Sequence, residues 1–291
     1  MRNDWYGKDI GLSVRIFFTM AALAIVYLAF ITILFVLGVD ILVISLFVGL
    51  FLVIQLAFSD RLVVLSAGGR IVSEQEAPEL HDIVTRLCSM GDLPKPKIAI
   101  VRSSVPNAFA TGKGKKSSVV AVTTALMDTL DKSELEAVIA HELTHIANRD
   151  AFVMSVAGFM STIAWYVARF SIYMRRGRDR DNGSGVIIWL VSIAVWFLSF
   201  LLIRALSRYR EFSADRGSAL LTGNPSALIS ALLKISGDIR RVPERDLREV
   251  EGISAFFIVP AAVKGIFSTH PPTEKRIERL RQMEREMEGI A

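Results

Sequence analysis

The chain has one cysteine, Cys88, so no internal disulfide can form and the fold must be held by packing alone. A lone cysteine in an apolar helical pattern reads as a small core residue. Histidine is scarce: only His81, His141, His145 and His270 are present. Any site needing several imidazoles must therefore draw on this short set. No RNA- or DNA-reading motif occurs, and there is no internal repeat or low-complexity linker. The stretch Gly112-Lys-Gly-Lys-Lys-Ser117 looks superficially like a phosphate loop, but the G-x-x-x-x-G-K-[ST] spacing is missing and a strand pattern follows it. It reads as a solvated basic turn. Charge is absent from 16–37 and from 41–58, except at their margins.

Apolar residue is what the chain has in excess. Hydrophobic residues make up 52% of its 291 positions and mean hydropathy is +0.44, beyond the soluble range, so part of the surface is expected to face lipid. Net charge is +5 with a pI near 9.4. In so apolar a chain that balance suits anionic lipid headgroups better than nucleic acid. Ile16–Leu37 is long enough to cross a bilayer. Ile41–Phe58 follows after Gly38-Val39-Asp40, and the two read as a tight transmembrane hairpin. A third run, 151–168, and a fourth, 186–203, are shorter and richer in Ser, Thr and Trp. They either span or form a helical hairpin sunk partly into the membrane. Domains are expected at 1–60, the N-terminal hairpin, and at 61–291, a domain interrupted by a hydrophobic hairpin at 151–204. Arg2, Lys8 and Arg15 before the first run, and the Lys/Arg content after the second, put the N-terminus and the large domain in the cytoplasm by the positive-inside rule. The four arginines between 175 and 180 run against that rule if runs three and four cross completely.

The polar sequence reads as mainly helical with a small sheet. A helix is expected over 77–90, strands over 98–101, 108–111 and 119–123, and a helix from 132 or 133 capped by Asp131 or Ser133. Asn224-Pro225 starts another helix. The alternating charges of 274–288 predict a solvated last helix.

The helix beginning near 132 carries His141-Glu142-Leu143-Thr144-His145. Two histidines four apart lie about 40° from each other around a helix, so both rings reach one point. Two neutral imidazoles there can hold Zn²⁺, and Glu142, about 100° away from His141 around the helix, is placed to take a proton from an attacking water. A peptidase site of this kind needs a third protein ligand. Glu211, just after the fourth run, is the candidate, because a helical hairpin returns to the side it left and brings 211 to the level of 145. Asp215, four residues on, shares its face and can accept the other ring N–H of a ligand histidine. The plainer alternative makes Glu211 and Asp215 surface charges paired with Arg208 or Arg216.

The motifs Asn107-Ala-Phe-Ala-Thr-Gly112, Val120-Ala-Val-Thr-Thr124, Glu134 through Asp150, Arg210-Glu-Phe-Ser-Ala-Asp-Arg216 and Ser268-Thr-His-Pro-Pro-Thr-Glu-Lys-Arg-Ile277 occur in this order around four apolar runs. Together they resemble the HtpX family of membrane zinc metallopeptidases, relatives of the CAAX prenyl endopeptidase. The resemblance implies a zincin-like domain with transmembrane helices and one Zn²⁺ per chain bound by His141, His145 and Glu211. It implies Glu142 as general base and membrane-protein quality control as the role. It also implies a multi-pass protein of a prokaryotic plasma membrane acting on protein or peptide substrates. Thr144 departs from the family, where Gly or Ser is common.

His270 is either an oxyanion donor near the metal, which the resemblance favours, or a turn histidine. Arg216 is either a donor to the substrate or a partner of Asp215. Asn107, Ala108 and Phe109 read as an edge strand to which an extended substrate can add, a role the resemblance supports. Asn148 and Asp150 read as capping and packing residues, and His81 as a surface or core histidine. Two other functions stay open: a CAAX-type prenyl-peptide endopeptidase, and a membrane scaffold that keeps zinc only for stability. Glu142 argues against the scaffold, because a structural site does not need that carboxylate. A protease cutting within spans would place the motif in an apolar helix, whereas here Asp131, Lys132, Glu134 and Glu136 lead into it. Oligomeric state has no signature in the sequence.

Overall fold

A computed structural model describes residues 10–40, six positions between 42 and 53, and residues 67–112, 114–174, 184–239 and 270–289. The second apolar run falls largely outside these residues, as do the arginines at 175–180 and the loop around Pro243. Six residues of that run, Leu42, Ser45, Leu46, Gly49, Leu50 and Val53, are described, and all are helical.

The chain divides into two compact units. One comprises 11–58 and 153–206. It contains α1 (Ile10–Val36), most of α5 (Asp150–Met174) and the first part of α6 (Ser184–Thr222). Among the described residues these three helices are long and apolar enough to cross a membrane. At 1.5 Å per residue each exceeds a hydrocarbon core of about 30 Å, even though the apolar runs inside α5 and α6 are shorter than the helices. Within the unit, Phe30, Leu34, Ala164 and Val195 form one buried cluster, and Leu23, Ala157 and Leu206 another. Tyr27 Oη donates to the Ala157 carbonyl at 2.5 Å, so its polar tip is satisfied inside the apolar bundle. Phe17, Phe18, Ile25 and Leu28 point outward. Such a helix is unfavourable in water and natural in lipid.

The other unit, 1–10, 59–152 and 207–291, holds the sheet and the remaining helices. Strands β1 (Gly69–Ile71), β2 (Lys97–Val101), β3 (Ala108–Thr111) and β4 (Val119–Thr123) lie in the order β1-β2-β4-β3. β2 and β4 run parallel with Ile98 opposite Val120, while β3 is antiparallel to β4 with Phe109 opposite Ala121. β3 is thus an edge strand, as expected from 108–111. The three-residue β1 had no legible strand pattern. Alternation sends Ile98, Val120 and Val122 to one face and Ala99, Phe109 and Ala121 to the other.

Helix α2 (Pro78–Met90) buries Leu80, Ile83 and Leu87 against the first face. Cys88 is buried on it, and burial pushes its thiol up to about 11, which fits an inert core residue. The short helix α3 (Thr124–Thr129), unforeseen from the sequence, is capped by Thr123. α4 (Lys132–Asn148) begins with a full capping box: the Asp131 side chain accepts from Glu134 N–H, and Glu134 reaches back to Asp131 N–H. Val138, Ile139 and Leu143 of α4 are fully buried, and each stabilises the unit by about 1.5–3 kcal/mol. α7 (Pro225–Ile239) and α8 (Thr273–Met287) complete the core through Leu228, Leu232, Ile277 and Leu280. The last helix is therefore not wholly solvated, which corrects the reading of 274–288. Arg276, Ile277 and Leu280 form a buried stripe within the charged sequence.

The second half of α6 is fixed closely to α4. Ser218 Oγ donates to the Ala137 carbonyl at 2.6 Å. A Cβ on Gly217 would lie 2.4 Å from Thr144 Cγ2, so this approach of α6 requires glycine there.

Candidate metal centre

The period of α4 brings the two histidines together. His141 Nε2 and His145 Nε2 lie 3.2 Å apart. α6 then supplies Glu211, whose Oε2 is 3.6 Å from His141 Nε2 and whose Oε1 is 3.6 Å from His145 Nε2. One ligand atom from each of the three residues lies within 4.8 Å of the others. Two ring nitrogens facing each other beside a carboxylate repel unless a cation is shared between them. The donor set, two imidazoles and one carboxylate, is one that suits zinc with a position left open. Burial opposes a protonated His141, but its hydrogen bonds to Asp215 and Glu211 outweigh it and lift its pKa to about 9. Metal binding competes with that proton.

Glu142 is buried beside the histidines, and burial raises its pKa while His145 and His141 pull it back. The Ala110 backbone on β3 is close enough to help lower it as well, which brings the edge strand to the general-base candidate. Asn107 is buried, and its backbone carbonyl accepts from Thr123 N–H at 2.9 Å and Thr123 Oγ at 3.0 Å. Ala108 and Phe109 lie within β3.

Asp215 Oδ1 lies 3.1 Å from His141 Nδ1, the ring nitrogen turned away from the centre. Its partner is Arg276, whose Nε and Nη2 donate to Oδ2 and Oδ1 at 2.8 and 2.6 Å. This corrects the pairing of Asp215 with Arg216. Adjacent helix positions diverge by about 100°, so Arg216 leaves the face that carries Asp215. Arg276 Nη1 also comes within 3.7 Å of Glu211 Oε2, and His270 Nδ1 within 3.1 Å of the same oxygen. The structure thus brings His141, Glu142, His145, Glu211, Asp215 and His270 together.

Two contacts were not foreseen. Arg276 stood inside the Ser268–Ile277 motif, which was the available signal, but its surroundings looked like a solvated helix. Asp150, expected to cap and pack, receives or shares the proton of His145 Nδ1 at 2.6 Å. Asn148 does pack: its Nδ2 donates to Ser213 Oγ at 3.3 Å. His81 Nε2 sits 3.1 Å from the Val72 carbonyl, away from the centre.

A helical and small-sheet unit with a His-His-Glu cluster and a neighbouring carboxylate, joined to membrane-length helices, is the architecture of a membrane metalloprotease. The chain belongs to peptidase family M48, whose model matches residues 74–284. It is 55% identical to "Protease HtpX homolog 2" of Methanosarcina mazei, over 99% of this chain and 100% of that protein. It is 51% identical to "Protease HtpX homolog" of Moorella thermoacetica, over 97% of each. Among solved structures, that of S. mikatae Ste24p aligns with a TM-score of 0.53 at 19% identity, over 93% of this chain and 67% of that one. At that identity the likeness speaks for the fold. The protein is accordingly a membrane metalloprotease with protein or peptide substrates.

Proposed function

We propose that the protein is a zinc endopeptidase that removes misfolded or damaged membrane proteins, with one Zn²⁺ held by His141, His145 and Glu211. The convergence of the two Nε2 atoms on Glu211, with Glu142 alongside, carries this reading. Bound zinc would polarise the scissile carbonyl and acidify the attacking water. Glu142 takes the proton of that water and passes it to the leaving amine. An extended substrate adds to the outer edge of β3 at Ala108 and Phe109, with Asn107 at its end, and so runs past Glu142. His270 lies on the Glu211 side and stabilises negative charge developing on the substrate oxygen, while Arg276 holds Asp215 behind His141.

Residues 1–60 serve as a membrane hairpin, and 61–291 as the peptidase domain interrupted at 151–204. The basic residues around the first two runs favour a catalytic unit in the cytoplasm of a prokaryotic cell. Bacterial and archaeal relatives bearing the HtpX name support the quality-control role.

Detergent-purified protein would be assayed on an unfolded membrane protein and on a prenylated peptide, with zinc content measured in parallel. Cleavage of the membrane protein by wild type, a loss of about 10²–10⁴-fold in Glu142→Ala and about one zinc in both is the expected result. Preference for the prenylated peptide would replace the substrate class. Zinc in both proteins with cleavage of neither would return the scaffold reading.

A further inference from the structure

The two candidate histidine ligands are oriented by different means. His141 turns its outer nitrogen to Asp215, four residues beyond Glu211 on the same helix. His145 turns Nδ1 to Asp150 Oδ2 at 2.6 Å, and Asp150 is buried at the first position of α5. In an unbroken helix, residues five apart point about 140° from each other and do not meet. The break between α4 and α5 removes that obstacle. Arg149 ends α4 in the left-handed region, at φ 56°, while its N–H still bonds to the His145 carbonyl. A non-glycine residue pays for that conformation only where the surroundings demand it. Here it re-aims the next residue, so that Asp150 folds back onto His145.

Asp150 is also held from its other side. Arg210 Nε lies 3.1 Å from Asp150 Oδ1, so each carboxylate oxygen serves one partner. Arg210 immediately precedes Glu211. One buried carboxylate therefore joins the last turn of the helix bearing both histidines to the residue beside the third candidate ligand.

We infer that Asp150 is a positioning residue for the metal, keeping the proton of His145 on Nδ1 so that Nε2 presents its lone pair to the centre, with Arg210 fixing the carboxylate. The inference rests on the zinc reading above. Carboxylate partners of ligand imidazoles raise ligand basicity and restrict ring rotation, so their loss weakens the metal more than the fold. Asp150→Asn keeps an acceptor for the ring N–H but loses the charge and the pairing with Arg210, so its effect is the smaller.

The test uses the full chain in detergent, as wild type, Asp150→Ala, Asp150→Asn and Arg210→Gln. Zinc affinity is read by chelator competition, the visible absorption of the Co²⁺-substituted site reports ligand geometry, and the apo-protein Tm reports the fold. Asp150→Ala is expected to weaken zinc about 10–100-fold, with Asp150→Asn and Arg210→Gln between it and wild type. The Co²⁺ spectrum is expected to shift in all three, and apo Tm to fall most in Asp150→Ala, which leaves Arg210 without its buried partner. Should Asp150→Ala not fold, the near-isosteric Asp150→Asn carries the comparison. Zinc affinity within about twofold of wild type would overturn the inference and leave the zinc reading intact. So would weaker binding with an unchanged Co²⁺ spectrum and a lowered apo Tm, which is the mark of a structural residue. A wild type that binds no zinc would overturn both.

Discussion

In the unit built around α4, large apolar side chains lie inside and the buried charges are paired. In the unit built from α1, α5 and the first part of α6, apolar residues such as Phe30, Leu206, Ala157 and Ala164 meet at the helix contacts while other bulky apolar ones face out. Phe17, Ile25 and Leu28 on α1 are about two-thirds exposed, as exposed as the side chains of Arg70 and Glu79 on the other unit. Burial thus has opposite meanings in the two. Where water is the solvent, hiding apolar area drives folding and a buried charge needs a partner. Where lipid is the solvent, apolar surface costs nothing outside, and close packing between helices decides the contacts. The site charges are confined to the first kind of interior, where networks such as Asp215–Arg276 are worth building.

The largest effect is expected where a buried pair in that interior is broken. Arg276→Leu leaves the Asp215 carboxylate without its bidentate partner and should cost about 3–5 kcal/mol, read as a fall in Tm and in denaturant midpoint. A loss below about 1 kcal/mol would mean that water replaces the guanidinium and that the interior is wetter than its burial implies.

The next test exchanges the two solvents directly. Ile25→Arg, at an outward position near the middle of α1, should cost about 2.5–3.5 kcal/mol in a membrane-insertion assay. Met90→Lys, at an exposed apolar position on α2, should stay within about 0.5 kcal/mol by thermal unfolding. Equal small effects at both sites would show that α1 does not meet lipid.

The smallest effect concerns the start of α4. The Glu134 N–H bond and neighbouring hydroxyl hold exposed Asp131 below its ordinary pKa. A carboxylate whose folded pKa is depressed contributes stability above its unfolded value and loses it as pH falls through the lower folded value. Asp131→Ala should therefore lower Tm slightly at neutral pH. The gap to wild type should close in acid, below the usual aspartate range. A gap independent of pH would assign the contribution to the hydrogen bond alone.

How much of this was legible differs by residue. His141, Glu142 and His145 were readable because helical period is local, and four positions bring two side chains to one face whatever surrounds them. Glu211 was readable at one remove, because a hairpin of membrane length must return to its starting level. Strands β3 and β4 were readable from β-branched residues around a basic turn, while β1 is too short to show a pattern. Arg276 was hidden in a charged helix, since period alone does not say which charge finds a buried partner. Asp150 was hidden because its contact depends on a left-handed residue at Arg149, where neither glycine nor asparagine announces it.

By itself, then, the sequence determined the long apolar runs, the histidine helix starting beside Asp131, and the residue types that metal chemistry needs. All of these follow from composition and from periods of two and 3.6 residues. Only the tertiary structure decided which carboxylate serves which imidazole, and that Arg276 rather than Arg216 holds Asp215. Those choices join residues far apart in the chain. They depend on how α4, α6 and α8 pack, and packing is a property of the assembled core.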